Sequence, residues 1–449
     1  MTRELHLNVN ITDAGKHAAA WRKQPDPRSF LDIGYFQHIG RVAEAARLDA
    51  IFLSDYPALT ETTPTKPWQS LDPTIVLSAV AAVTEHIGLI GTASTTFNHP
   101  YALARRFASL DHVSRGRIAW NIVTTMHPAA SAAYGHGALP DRDQRYAQAE
   151  EFVAATAALW ASWDADALVA DQEAGTFARG GAVHPVALQG RYPLVGALNV
   201  PRGPQGRPVL VQAGSSEGGR TLAGRWADVV FTAQTTLPEA AEFYADINAR
   251  ARAHGRPDGS VVVLPGLFPV VGSTEAEALA RLADLNEHYD YDREHARLAA
   301  QLGVGVEEIP LDRPLDPRVT SGSAVSGSSQ GFLDATVRFA VASGWTIRQL
   351  IDRNGGAHRM VVGTPEQIAD DIELWFTERA ADGFNLNIDV LPDGLERVVE
   401  HVVPELRRRG IFRSEYAHRT LRGNLGLPAE PSDPVPLGTA PRDRAVAPA

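Results

Sequence analysis

The sequence predicts an α/β protein of the (β/α)8 type, a TIM barrel with insertions at its βα loops. Three observations lead there. Short β-like runs alternate with longer helical ones eight times, which implies parallel strands joined by right-handed crossovers. The first run, 5–11 (LHLNVNI), alternates strictly with period two, the mark of a strand with one apolar face. No G-x-G-x-x-G follows it, so the main structural alternative, an open dinucleotide-binding sheet, has no support.

The elements follow in order. A helix with apolar residues at three- and four-residue spacing is expected over 31–47. Strand 50–54 leads to helix 73–83, strand 87–93 to helix 101–113, and strand 117–124 to helix 143–160. Strand 208–213 leads to helix 216–226, strand 228–232 to helix 237–253, and strand 260–271 to a helix beginning over 274–283. Strand 384–390 and helix 394–409 complete the set. Two regions interrupt the repeat: a Gly/Pro-punctuated insertion over 162–207 and a longer one over 285–350, which includes the Gly/Ser-rich stretch 320–330. Both attach to βα units and are expected to form lids or substrate walls, the alternative being mobile surface decoration. Residues 1–427 thus form one barrel, and the Pro/Ala-rich tail 428–449, lacking periodicity, is expected to be disordered.

Composition narrows the function. Across 449 residues, 42 Lys+Arg against 53 Asp+Glu leave a net charge of −11, which argues against nucleic-acid or anionic-membrane binding. The absence of cysteine excludes disulfides, iron–sulfur clusters, thiolate zinc and a Cys nucleophile. No apolar run approaches the ~18 residues of a membrane span, and the start lacks a signal-peptide core, so a cytoplasmic protein is expected.

In such a barrel the chemistry sits at the C-terminal ends of the strands. Those positions hold Asn8 and Asn10, Asp55, Ser94 and Thr95, Asn121 and Thr125, Ser215 and Ser216, and the alternating Asn385, Asn387 and Asp389. Amides and hydroxyls dominate, which suits orienting a polar heterocycle. A barrel glycosidase would need two carboxylates at strand ends, and only Asp55 and Asp389 are evident. The turn from Gly214 to Gly219 opens a helix directly after a strand. Such a start offers free N–H groups to a phosphate, although a Ser-capped Gly turn is also a common structural N-cap. His17, His99, His127 and His136 follow strands, but no H-E-x-x-H or similar spacing points to a metal. Taken singly, each of these histidines reads as a surface or structural residue rather than a catalytic one, and Asp55 reads equally as a loop turn or a functional acceptor.

Several motifs then resemble one family. Gly15, His17, Ala20, Trp21 and Arg22 follow its G-x-H-x-x-A-W-R element, and Ser94, Thr95, Thr96, Pro100 and Tyr101 its S-T-T…P-Y turn. Leu110 through Thr125 resemble L-D-H-x-S-x-G-R-x-x-W-N-x-V-T-[ST], and Gln212 through Ser216 match Q-A-G-x-S. Gly363-Thr364-Pro365-Glu366-Gln367 and Val403-Pro404-Glu405-Leu406 also match in order. On these residues, over about 5–426, the chain resembles the nitrilotriacetate and dibenzothiophene-sulfone monooxygenase branch of the bacterial-luciferase-like superfamily.

The resemblance implies a two-component monooxygenase that uses reduced FMN, supplied by a separate NAD(P)H:flavin reductase, and O2 to oxygenate a small organic substrate, with C–S or C–N cleavage in many members. It implies FMN contacts at Asp55, Ser94, Thr95, Tyr146, Ser215 and Ser216, and a homo-oligomer. Asp143, Arg145 and Tyr146 are similar to the family's H-D-x-R-Y, except that Arg142 stands where the family has His. Arg142 and Tyr146 are four residues apart on a helix, so Arg142 is expected to reach the same phosphate. His17, at the barrel mouth, is the candidate acid or hydrogen-bond donor. A flavin-binding barrel without turnover is the alternative function.

Overall fold

The computed structural model describes residues 3–59, 67, 71–319, 330–353 and 358–430. Its strands are β1 (His6–Ile11), β2 (Ala50–Leu53), β3 (Gly88–Ser94), β4 (Ile118–Val123), β5 (Leu168–Asp171), β6 (Thr176–Ala178) and β7 (Val186–Leu188). They continue as β8 (Leu194–Gly196), β9 (Val209–Gln212), β10 (Val229–Thr232), β11 (Val262–Val271), β12 (Arg359–Gly363) and β13 (Gly383–Asn387). A parallel ring closes in the order β1, β2, β3, β4, β9, β10, β11, β13, with β13 returning to β1. The fold is the (β/α)8 barrel that the alternation predicts.

Helices begin where the sequence supplies caps. Asp32, Asp72 and Asp141 accept hydrogen bonds from Gly34, Thr74 and Gln144 N–H at 2.9, 2.8 and 2.8 Å, and Thr364 with Gln367 forms a reciprocal capping box.

Period-two alternation decides what faces into the barrel. Leu7, Val9, Phe384 and Leu386 pack outward beneath the helices. Asn8, Asn10, Asn385 and Asn387 therefore point inward, and all are buried. Register places Asn8 beside Asn385 and Asn10 beside Asn387, and the Asn10 amide donates to Asn387 Oδ1 at 2.9 Å. Toward the base the interior is apolar: Phe52, Ile90, Val211, Val229 and Leu264 form one cluster with Leu421, Leu425 and Leu427 of the C-terminal segment.

The base of the barrel is a set of buried ion pairs. Asp49 accepts from Arg413 at 2.7 Å and contacts His6 Nδ1 at 2.8 Å. Asp228 accepts from Arg207 at 2.7 Å, from Arg422 at 3.0 Å and from the Leu210 N–H at 2.9 Å. Burial alone would raise the pKa of Asp228, but Arg207 and Arg422 override it and hold the carboxyl well below its usual range.

Four features differ from expectation. The 162–207 insertion contains two antiparallel hairpins, β5–β6 and β7–β8, whose runs of three or four residues are too short to show a period. The 285–350 insertion is largely helical, with Tyr291–Leu302, part of Gln330–Ser343 and Ile347–Asp352 packed about their own apolar cluster. Between it and the last barrel strand lie β12 and the helix Pro365–Thr377, neither of which the alternation had separated. β11 makes room for β12: it is ten residues long, pairing with β10 through Val262–Pro265 and with β12 through Leu267–Val271. A short helix, Pro128–Ala133, precedes Arg142–Trp160.

Of the tail expected to be disordered, 431–449 lie outside the described residues, as do 320–329 of the Gly/Ser-rich stretch. The described part, 428–430, meets the base: Glu430 pairs with Arg207 at 2.9 Å and Arg422 at 3.2 Å.

Candidate functional site at the barrel mouth

The C-terminal ends of the strands gather the candidate residues into three groups. The first lies between β9 and β10. Ser216 caps the helix Glu217–Trp226, accepting from Gly219 N–H at 3.4 Å, and donates its hydroxyl to the Tyr146 Oη at 3.4 Å. Tyr146 comes from the helix Arg142–Trp160, so tertiary packing joins residues 70 positions apart. Glycine permits this approach. A Cβ on Gly214 would stand 2.6 Å from the Tyr146 hydroxyl, and one on Gly218 2.7 Å from its ring. Ser215 Oγ lies 3.0 Å from Thr232 Oγ1, which accepts from Gln234 Nε2 at 3.0 Å.

The second group sits at the ends of β3 and β4. Ser94 Oγ accepts from Thr125 at 2.6 Å and from the Thr96 N–H at 3.0 Å, and the Thr95 hydroxyl donates to the Val123 carbonyl at 3.2 Å. Asp55, just past β2, is half-buried. Burial, and then the charge of Asp72, push its pKa up to about 6.

The third group surrounds His17. Its Nδ1 accepts from the Ala19 N–H at 3.1 Å, which places the proton on Nε2, donated to Asn286 Oδ1 at 3.0 Å. Its ring stacks on Tyr289 with centroids 4.5 Å apart. Burial lowers its pKa, only partly offset by the bond to Asn286, so the imidazole is neutral at pH 7. The loop carrying it is tied to the strand end by Lys16 and His17 N–H bonds to the Ile388 and Asp389 carbonyls at 2.7 and 3.2 Å. Asp389 itself is held by Arg281 at 2.6 Å.

Arg142, at the start of its helix, is exposed. Arg145 beside it is half-buried, with Nη1 donating to the Pro140 carbonyl at 2.7 Å. Sequence reasoning did not find Asn286, Tyr289 or Arg281, which lie some 270 residues from His17 in chain order or on the long insertion; nothing local marks them. It also missed the pairing role of Thr232 and Gln234.

The donor set fits a flavin mononucleotide. A helix N-terminus with a serine cap, a tyrosine hydroxyl and close-approach glycines suits a phosphate. Buried side-chain atoms inside the barrel, namely Asn8 Oδ1, Asn10 Oδ1, Asn121 Oδ1 and both polar atoms of the Asn385 amide, have no hydrogen-bond partner in the protein. Buried amides left so are costly unless a ligand or water meets them. No cluster of metal-ligating side chains occurs among the described residues.

Comparison with known proteins gives the same direction. Residues 14–383 match the family described as luciferase-like monooxygenase. Component A of nitrilotriacetate monooxygenase from Aminobacter aminovorans is 40% identical over 450 residues, covering 96% of this chain and 98% of that protein. The structure of EDTA monooxygenase from Chelativorans sp. BNC1 superimposes with a TM-score of 0.80 at 37% identity, covering 96% of this chain and 100% of that one. A riboflavin lyase solved with modified FMN and riboflavin gives a TM-score of 0.81 at 31% identity, covering 96% and 98%.

Proposed function

This chain belongs to the luciferase-like monooxygenase family, and from that premise we propose that the barrel mouth seats reduced FMN with its phosphate at Tyr146 and Ser216. The protein is the oxygenating component of a two-component system: it takes reduced FMN and O2 and oxygenates a small organic substrate, while a separate reductase supplies the reduced flavin. Bound there, the flavin supplies the electrons that activate O2. The observation that carries the site assignment is the meeting of the Tyr146 and Ser216 hydroxyls, 3.4 Å apart at a Gly-rich helix start.

Around that anchor, Ser215 is set by Thr232, Ser94 and Thr95 line the rim between β3 and β4, and Asp55 offers a carboxyl from the far side of the mouth. Arg142 adds positive charge to the phosphate end from solvent. His17 is the acid or hydrogen-bond donor of this reading only by turning its Nε2–H from Asn286 toward the reacting groups, since Ala19 N–H occupies Nδ1 and Tyr289 stacks on the ring. Cleavage of a C–N or C–S bond in the substrate follows the pattern of the resembled branch, and a homo-oligomer in the cytoplasm is its expected form. No helix among the described residues is long and apolar enough to cross a membrane. A glycosidase mechanism is disfavoured for the pair Asp55 and Asp389, since Asp389 is already held by Arg281.

Calorimetry tests the assignment. FMN should bind more tightly than FAD or riboflavin, and Tyr146→Phe and Ser216→Ala should each weaken FMN by about 1 kcal/mol or more. Equal affinity for the three flavins, unmoved by either substitution, would remove the site. The purified chain alone should not consume NADH at a useful rate, and substrate-dependent oxygen uptake should appear only when a reductase is added.

A further inference from the structure

The interior side of β11 carries Val262, Leu264 and then Gly266, by the same alternation that puts Val263 among the helices. Gly266 is level with the inward-facing Asn385 of β13, so it lies where the barrel turns from apolar core to polar mouth. Its missing side chain leaves a gap, and His358 fills it: a Cβ on Gly266 would stand 2.2 Å from His358 Nδ1. The imidazole is buried and stacks on Phe231 with centroids 5.1 Å apart at 30°. Phe231 in turn meets Phe52 edge-on across the barrel at 5.8 Å.

A histidine that arrives after the long insertion thus caps an aromatic column inside the barrel. It stands one strand over from β10, whose Thr232 helps set the Ser215–Ser216 turn. Burial, and secondarily the nearby Lys16 ammonium, hold its pKa well below the ordinary value, so the ring presents no charge. A neutral, flat, polar ring suits an aromatic heterocycle better than it suits a phosphate.

We propose that His358 is a binding residue for the isoalloxazine ring of the flavin, seated in the barrel mouth by the absence of a side chain at Gly266 and by Phe231 beneath it. This rests on the reading of the mouth as the FMN site.

The experiment uses the full chain and two probes, FMN and riboflavin, which share the ring and differ in the phosphate. His358→Ala should weaken both by the same factor, roughly fivefold or more, and change the visible spectrum of the bound flavin; Tyr146→Phe should weaken FMN alone and leave the spectrum in place. Gly266→Ala should reproduce the His358→Ala loss with the imidazole still in the chain, because its methyl occupies the ring's place. The double variant Gly266→Ala/His358→Ala has room for that methyl, so its thermal midpoint should rise above that of Gly266→Ala while flavin affinity stays low. Wild-type affinity and spectrum in His358→Ala, or flavin binding restored in the double variant, would overturn the proposal for His358. Failure of the wild type to bind either flavin would instead overturn the reading of the mouth.

Discussion

The two ends of the barrel are built from the same strands and solved in opposite ways. At the base each ion-paired carboxylate is surrounded by its partners: Asp49 by the Arg413 guanidinium and the His6 ring, Asp228 by the Arg207 and Arg422 guanidinium groups and the Leu210 N–H. At the mouth the buried polar groups are amides and hydroxyls, and several amide atoms of Asn8, Asn121 and Asn385 have no protein partner. At the base every paired carboxylate meets a guanidinium, although Arg413 Nη1, Arg422 Nε and Asp111 Oδ2 keep no partner, whereas the mouth leaves uncharged amides open inside the barrel. What sets the mouth apart is the kind of group left open: neutral amides facing the barrel interior, which a polar ligand can meet.

The largest effect should come from breaking the base. Asp228→Asn leaves Arg207 and Arg422 buried with only Glu430 as a charged partner, and should destabilise the protein by about 3–5 kcal/mol in urea unfolding. Its folded pKa lies below the unfolded value near ~3.9, so its contribution is present above pH ~4 and disappears as pH falls further. Flavin affinity of the folded fraction should not change. A destabilisation below about 1 kcal/mol would show that the base is not where stability concentrates.

Asp111 is an exception at the same end and sharpens the contrast. Burial pushes its carboxyl up to about 7, with the Gln205 amide donating to it at 2.8 Å and only partly opposing that rise. Because the folded pKa is raised, its contribution is complete below pH ~4 and lost as pH rises through about 7. Asp111→Asn, which keeps an acceptor for Gln205, should stabilise the protein by about 1–3 kcal/mol at pH 8 and by much less at pH 5. Thermal unfolding at the two pH values decides this; equal shifts at both would rule out the ionisation argument.

At the mouth the effects should be smaller and appear in ligand binding. Burial and Asp72 hold the Asp55 carboxyl at about 6, so it ionises as pH rises through that value. The contribution of Asp55 to stability is complete below pH ~4 and lost as pH rises through about 6, while an ionised acceptor at the rim should tighten FMN several-fold. Titrations of wild type should show that pH dependence and those of Asp55→Asn should not.

The smallest effect is expected at Arg142. It is exposed at the helix start, so Arg142→Ala should weaken FMN by less than about 1 kcal/mol, with the difference vanishing at high salt. A loss larger than that of Tyr146→Phe would mean that the side chain closes over the phosphate.

Much of the barrel was legible because its signals are local. The helix 237–253 is found with the bounds the pattern predicts, Leu237–Ala253, since a proline start and a three-four apolar stripe are both written in consecutive residues. The inward amides of β1 and β13 were readable for the same reason. β12 was not: it is a five-residue run, half-buried, lying outside the closed ring, so nothing in its pattern announces a partner. The hairpins of the 162–207 insertion failed similarly. In the site, Ser216 and Tyr146 came from motifs, but that their hydroxyls meet depends on glycines 214 and 218 admitting the tyrosine ring.

The sequence by itself determined the strand–helix alternation, the inward face of each long strand and the chemical character of the mouth, because each follows from residue type and spacing within one element. Only the tertiary structure decided which distant residues share a contact. Asn286 orients His17, Arg281 holds Asp389, and His358 occupies the space Gly266 leaves. These pairings arise when ring closure brings the end of one strand against a loop from another part of the chain, and loop length does not record where a loop comes to rest.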